Sequence, residues 1–199
     1  MAKQLKGQKL TGANTRTRPE FDFYTTPVYA VEQMLDNVFD DRMQDNLLVL
    51  DPCAGNGVFG DAIRRKTGWR LVETDIKQRE CKLNAVGDFL TTDPTPKFDA
   101  VVMNPPYTQA TEFILHALKW CKPDGCVVAF LKLDFLATRK RFDNLLKHGH
   151  LRSIWINVGR VTCYYNGDVT DKTGGSTETG WFLFKPDTST TSPRIGWIE

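Results

Sequence analysis

Short apolar runs alternate with helix-period segments through the middle of the chain. Leu47–Leu50 is a buried-strand pattern, followed by a helical segment over Val58–Arg65 and a second strand over Trp69–Thr74. Leu83–Val86 reads as a short third strand and Ala100–Met103 as a fourth. A helix over Ala110–Trp120 is stopped by Pro123 and Gly125. Val127–Leu133 is then a fifth strand, Arg139–Leu146 a helix, Ser153–Val158 a sixth strand and Trp181–Phe184 a last one. Ahead of all these, Val31, Met34, Leu35 and Val38 give Val28–Phe39 a helical period. Pro27 stands at the start of that helix, where a missing N–H costs nothing. Strand and helix in alternation predict a mostly parallel sheet of seven strands with helices on both faces.

Two stretches fall outside this rhythm. Residues 1–19 carry Lys3, Lys6, Lys9, Arg16 and Arg18, no acid and no apolar period, and so predict a disordered basic arm able to contact phosphates. Gly159–Thr179 is polar, rich in Gly and Thr, and too long for a passive connection. The remaining 180 or so residues, 20–199, are about what one well-buried domain needs.

Composition narrows the class little. A net charge of +2 makes no bulk demand for nucleic acid, and 41% hydrophobic residues is ordinary for a globular domain. Cys53, Cys81, Cys121, Cys126 and Cys163 form no CxxC pair, and His116, His148 and His150 lack metal spacing, so no metal site is expected. An odd cysteine count without a signal peptide predicts reduced thiols in the cytoplasm. No run approaches the ~18 apolar residues of a membrane span.

Candidate chemistry gathers at the C-terminal ends of the predicted strands, where an open α/β sheet binds ligands. Asp51-Pro52-Cys53-Ala54-Gly55-Asn56-Gly57 joins the first strand to the first helix. Its glycines permit a sharp turn and close approach, and the helix behind offers free N–H groups. It has neither GxGxxG spacing nor a Gly-Lys-Ser/Thr sequence. The second strand ends in Glu73-Thr74-Asp75-Ile76, where either carboxylate, on the same side of the strand, could accept from ribose hydroxyls. Asp88 and Phe89 follow the third strand, placed to accept from an adenine amine and to pack on its ring. After the fourth strand comes Asn104-Pro105-Pro106-Tyr107. Two prolines stiffen this corner, holding an amide, a carbonyl and an aromatic ring at the sheet edge. Such a set suits recognition of a planar amino group.

The chain resembles the class I S-adenosylmethionine-dependent N6-adenine DNA methyltransferases, most closely small members encoded by phages and prophages. The likeness runs from about residue 20 to 185. Asp22-Phe-Tyr24-Thr-Thr26-Pro27 is similar to motif X, Asp51–Gly57 to motif I and Asp75-Ile76 to motif II. Gly87–Leu90 is similar to motif III and Asn104–Tyr107 to motif IV; Leu131–Leu136 and Trp181-Phe182 resemble later elements. Motif X ahead of motif I is the gamma order.

The resemblance implies a Rossmann-like α/β fold and S-adenosylmethionine as cofactor, contacted by Tyr24, Thr26 and Pro27 at its methionine end. Asp51, Pro52, Cys53, Gly55, Gly57, Glu73, Asp75, Ile76, Asp88 and Phe89 would complete that site. Asn104 and the Pro105 carbonyl would accept the two N–H groups of the target amine, Pro106 would stiffen the corner, and Tyr107 would stack on the flipped base. Asp88 as a general base is the alternative to its adenine role.

The larger gamma-type enzymes carry a recognition domain after the late aromatic pair; here about fifteen residues follow it. The loop 159–179 with Tyr164 and Tyr165, the basic arm and Arg139–Arg141 are the available nucleic-acid contacts, predicting weak or short sequence specificity. DNA is the expected partner. An RNA base, a protein glutamine, or a host protein bound without turnover are the alternatives. The oligomeric state is open.

Overall fold

The computed structural model describes residues 24–39, 46–95, 97–165, 167, 177–190 and 192–199. The basic arm, Asp22 and the whole 168–176 stretch lie outside the described residues. Ten strands are present among those described: β1 Tyr24–Thr25, β2 Leu48–Asp51, β3 Arg70–Asp75, β4 Ala85–Val86, β5 Phe98–Met103, β6 Cys121–Lys132, β7 Leu151–Asn157, β8 Tyr164–Tyr165, β9 Thr179–Phe184 and β10 Arg194–Ile198. Four α-helices join them: α1 Val28–Met34, α2 Val58–Lys66, α3 Ala110–Trp120 and α4 Arg139–Asn144.

The main sheet runs β10-β7-β9-β6-β5-β2-β3-β4, and β1 pairs with β8 apart from it. All neighbours are parallel except at β9, which is antiparallel to both β6 and β7. Side chains alternate between the two faces. Val127, Ala129 and Leu131 of β6 join Phe113, Ile114 and Ala117 of α3 in one core. Val128 and Phe130 join Ala30, Val31 and Met34 of α1 and Ala62 and Ile63 of α2 in the other. Helices therefore cover both faces, as the pattern predicts.

The strand number needs correction: the main sheet holds eight strands rather than seven. The added one, β10, pairs parallel with β7, Gly196 opposite Trp155. Only Ile198 of that strand is buried, while Ile195 and Trp197 are exposed, so it lacks the apolar run of its neighbours. A Cβ at Gly196 would strike the Trp155 ring, which occupies the space a side chain would need. The 159–179 segment also carries structure that its composition conceals, since Tyr165 pairs with Tyr24 and Tyr164 with Thr25. The helix expected over Val28–Phe39 departs too, widening after α1 into a π-helical turn over Leu35–Phe39.

Helix α2 packs over β3 with a buried carboxylate between them. Glu73 is 1% exposed and pairs with Arg64. It fits because residue 60 is glycine: a Cβ there would overlap the carboxylate and lie 2.9 Å from Leu71 Cδ2. Gly60→Ala is therefore expected to destabilise the fold by about 1–3 kcal/mol through overpacking. That outweighs the ~1 kcal/mol alanine gains over glycine inside a helix. A lower urea midpoint at unchanged slope checks this.

Candidate active site

Pro52, Cys53, Gly55, Asp75, Ile76, Asp88, Phe89 and Asn104–Tyr107 converge on one cavity of about 400 Å³ at the C-terminal edge of the parallel strands. Strand geometry dictates this, because β2, β3 and β5 are adjacent and parallel and their following loops leave on the same side. Tyr24 and Thr26 of the N-terminal segment close the same cavity.

The Gly-rich loop is held by acids from below. Gly57 begins α2 at φ 87°, where a Cβ would come within 2.7 Å of Cys81 Cβ. Asp51 Oδ1 accepts from Cys53 N at 3.1 Å, while Asp51 Oδ2 is buried with no hydrogen-bond partner among the described residues. Burial first, then the nearby Glu73 and Asp75 charges, push the Asp51 carboxyl well above its ordinary range. Burial and the Asp51 charge likewise raise the Cys53 thiol, whose Sγ donates to Asn104 O at 3.4 Å.

The two candidate ribose acceptors separate. Glu73 lies beneath α2 and does not line this cavity; the period-two pattern placed it on the same side as Asp75, but one pleat repeat short of the sheet edge. Asp75 reaches the cavity. Its Oδ2 accepts from Gly55 N at 2.8 Å, and its Oδ1 accepts from Lys77 N at 3.1 Å and Arg79 Nη1 at 2.7 Å. By lone-pair count Oδ2 keeps one acceptor position. Asp51, Gly57 and Pro27 also sit behind the lining rather than in it. Phe89 is buried, with Phe113 at 5.5 Å, His116 at 4.8 Å and Trp120 at 5.7 Å between centroids, so its ring is braced from behind. Asp88 Oδ1 accepts from Leu90 N, capping the turn that carries Phe89.

At the opposite end, the Asn104 amide is fixed by the N-terminal segment. Its Nδ2 donates to Tyr24 O at 2.9 Å and to Thr26 Oγ1 at 3.0 Å. A backbone carbonyl only accepts, so the nitrogen must face Tyr24 and Oδ1 must point away from it. Pro106 O accepts from Gln109 N, turning the chain into α3. Tyr107 is largely buried, which raises its phenol above the ordinary value, and Lys132 Nζ lies 5.2 Å from its ring centroid.

Phe59, Arg79, Gln109 and Phe113 line the cavity without having been expected there. Of these only Arg79 carries a legible cue, standing four residues after Asp75.

No protein-family model matches the chain, and no curated protein sequence matches it. Solved structures do. A methyltransferase subunit of a type I restriction-modification system from Streptococcus thermophilus superposes with TM-score 0.64 at 17% identity over 85% of this chain. The chain spans only 46% of that subunit's length. A provisionally assigned class I S-adenosylmethionine-dependent methyltransferase from Listeria monocytogenes gives 0.61 at 15% identity, covering 87% of this chain and 65% of that one. A provisionally assigned RNA methyltransferase from Pyrococcus horikoshii gives 0.61 at 16% identity, over 81% and 85% respectively. This is the class I methyltransferase fold. The cavity is lined by the loops that follow β2, β3, β4 and β5.

Proposed function

We propose that this chain transfers a methyl group from S-adenosylmethionine to a planar amino nitrogen, and specifically to N6 of adenine in DNA. The observation that carries the reading is the Asn104 amide. Its nitrogen is committed to Tyr24 O and Thr26 Oγ1, which leaves Oδ1 to accept a hydrogen bond from an incoming amine.

The donor side fits the cofactor on the chain's own residues. Asp51 Oδ2, set directly behind the cavity lining and buried with no hydrogen-bond partner among the described residues, suits the cationic amino group at the methionine end. The remaining lone pair of Asp75 suits a ribose hydroxyl, and Ile76 with the braced Phe89 ring suits the adenine faces. Bound S-adenosylmethionine would supply an electrophilic methyl on a positively charged sulfur.

The acceptor side acts by placement. Asn104 Oδ1 and the Pro105 carbonyl accept the two amine hydrogens and favour a pyramidal nitrogen with its lone pair freed. Tyr107 offers a ring face to the base, steadied by Lys132. The product proton leaves an already cationic nitrogen, so dipoles and positioning suffice without a tuned base. Residues 20–199 act in this reading as one methyltransferase domain, with Arg139–Arg141 and the arm as phosphate contacts. Methylation of an RNA base is the second reading, supported by the Pyrococcus neighbour, of whose length this fold covers 85%.

The test supplies purified protein with methyl-labelled S-adenosylmethionine and, separately, DNA, total RNA and cell extract, then identifies the labelled product. Label on N6-methyladenine from DNA is expected. Label confined to RNA supports the second reading, and label confined to protein overturns both. Cofactor binding with no label anywhere indicates a chain that keeps the fold and has lost turnover.

A further inference from the structure

We propose that Thr26 is a positioning residue for the acceptor amide of Asn104 rather than a ligand of the methyl donor, and that Cys163 fixes the direction in which its hydroxyl donates. The inference rests on the role given above to Asn104.

Thr26 is 1% exposed, so its hydroxyl must be paired within the protein. The oxygen accepts from Asn104 Nδ2 at 3.0 Å. With that lone pair used, the hydroxyl proton is available to donate toward the sulfur of Cys163, which the ribbon register sets opposite Thr26. Cys163 is 5% exposed, and burial pushes its thiol up to about 11. It is therefore uncharged at neutral pH, and its sulfur serves as a weak acceptor. The result is a directional chain from the Asn104 amide to the Thr26 hydroxyl to the Cys163 sulfur.

Each link is placed by backbone pairing. Thr25↔Tyr164 and Tyr24↔Tyr165 join β1 to β8 in an antiparallel ribbon. That register sets Cys163, the residue before β8, beside Thr26, the residue after β1. The same ribbon presents Tyr24 O to Asn104 Nδ2 at 2.9 Å. Both acceptors of the amide nitrogen thus come from one two-stranded element, whose second strand belongs to the 159–179 segment. Seating that segment against β1 and aiming Asn104 Oδ1 are one structural event.

A donor-binding role for Thr26 would draw on the same hydroxyl that already accepts from Asn104 Nδ2. The roles separate experimentally. With asparagine side chains labelled by nitrogen-15, the Asn104 amide is assigned by its loss in Asn104→Ala, and its hydrogen exchange is followed without any methyl acceptor. Slow exchange is expected in the parent protein, faster exchange in Thr26→Val and Thr26→Ala, and recovery in Thr26→Ser. Using two hydroxyl-free variants keeps the test valid if either fails to fold.

In turnover, the loss of one neutral hydrogen bond predicts a kcat lower by about tenfold, with the dissociation constant for S-adenosylmethionine unchanged within about twofold. Thr26→Ser retains kcat. Unchanged Asn104 exchange in the hydroxyl-free variants overturns the proposal. So does weakened cofactor binding at unchanged kcat. Exchange behaving as expected in a protein that methylates nothing would leave the positioning role intact and remove the methyltransferase reading.

Discussion

Asn104→Ala is expected to lower methyl transfer by about 10²–10³-fold, the usual effect of removing one preorganised polar group from a reacting centre. On the proposed reading, the variant loses the side-chain oxygen that accepts from the amine. It also strips Tyr24 O and Thr26 Oγ1 of their shared donor, so the ribbon on which they sit loosens as well. Cofactor affinity should remain within a few-fold of the parent, because none of Asp51, Asp75 or Phe89 depends on the amide. Asn104→Asp sharpens the point. It keeps the shape and an acceptor oxygen, yet sets a carboxylate oxygen against the Tyr24 carbonyl, where both can only accept. It should fail nearly as fully as alanine. Single-turnover rates and calorimetric cofactor titration check both variants. Transfer persisting in Asn104→Ala would remove the assignment of this residue.

Much of the site is legible from local pattern, because strand ends and breakers are local. Gly55, Asp75, Asp88 and Asn104 each follow an apolar run, and parallel pairing brings the ends of such runs to one edge. What the pattern cannot carry is distance across the chain. The bond from Asn104 to Tyr24 joins residues 80 positions apart, and only the β1–β8 ribbon explains it. Period two put Glu73 and Asp75 on one side of β3 without saying which lay at the rim. The answer depends on α2, whose Gly60 leaves a buried space that Glu73 fills. Strand β10 escaped for the opposite reason. Its Ile195 and Trp197 are exposed and its centre is glycine, so its burial pattern is not that of a core strand.

The second large effect concerns Asp51, where stability and binding should move in opposite directions. Its Oδ2 is buried with no hydrogen-bond partner among the described residues, and burial holds the carboxyl well above its ordinary value. The sign follows from which state holds the proton more tightly. The folded chain without ligand keeps the proton to higher pH than the unfolded chain, which releases it near 4. Stability from this group is therefore full below about pH 4 and is lost as pH rises through the raised folded value. Asn cannot ionise. At pH 7–8, Asp51→Asn should raise the melting temperature of the ligand-free protein, by about 2–4 °C for each kcal/mol recovered. Binding runs the other way. A cationic group entering beside Asp51 needs the carboxylate, so parent affinity should weaken as pH falls below the raised value and a proton must be expelled. Asp51→Asn should bind S-adenosylmethionine about ten- to a hundredfold more weakly, the range for a lost charge-assisted hydrogen bond. Its affinity should also lose that pH dependence. Melting curves and cofactor titrations across pH 5–9 measure both effects. A variant that melts lower yet binds as well as the parent would mean that Asp51 props the Gly-rich loop through Cys53 N and does not face the ligand's charge.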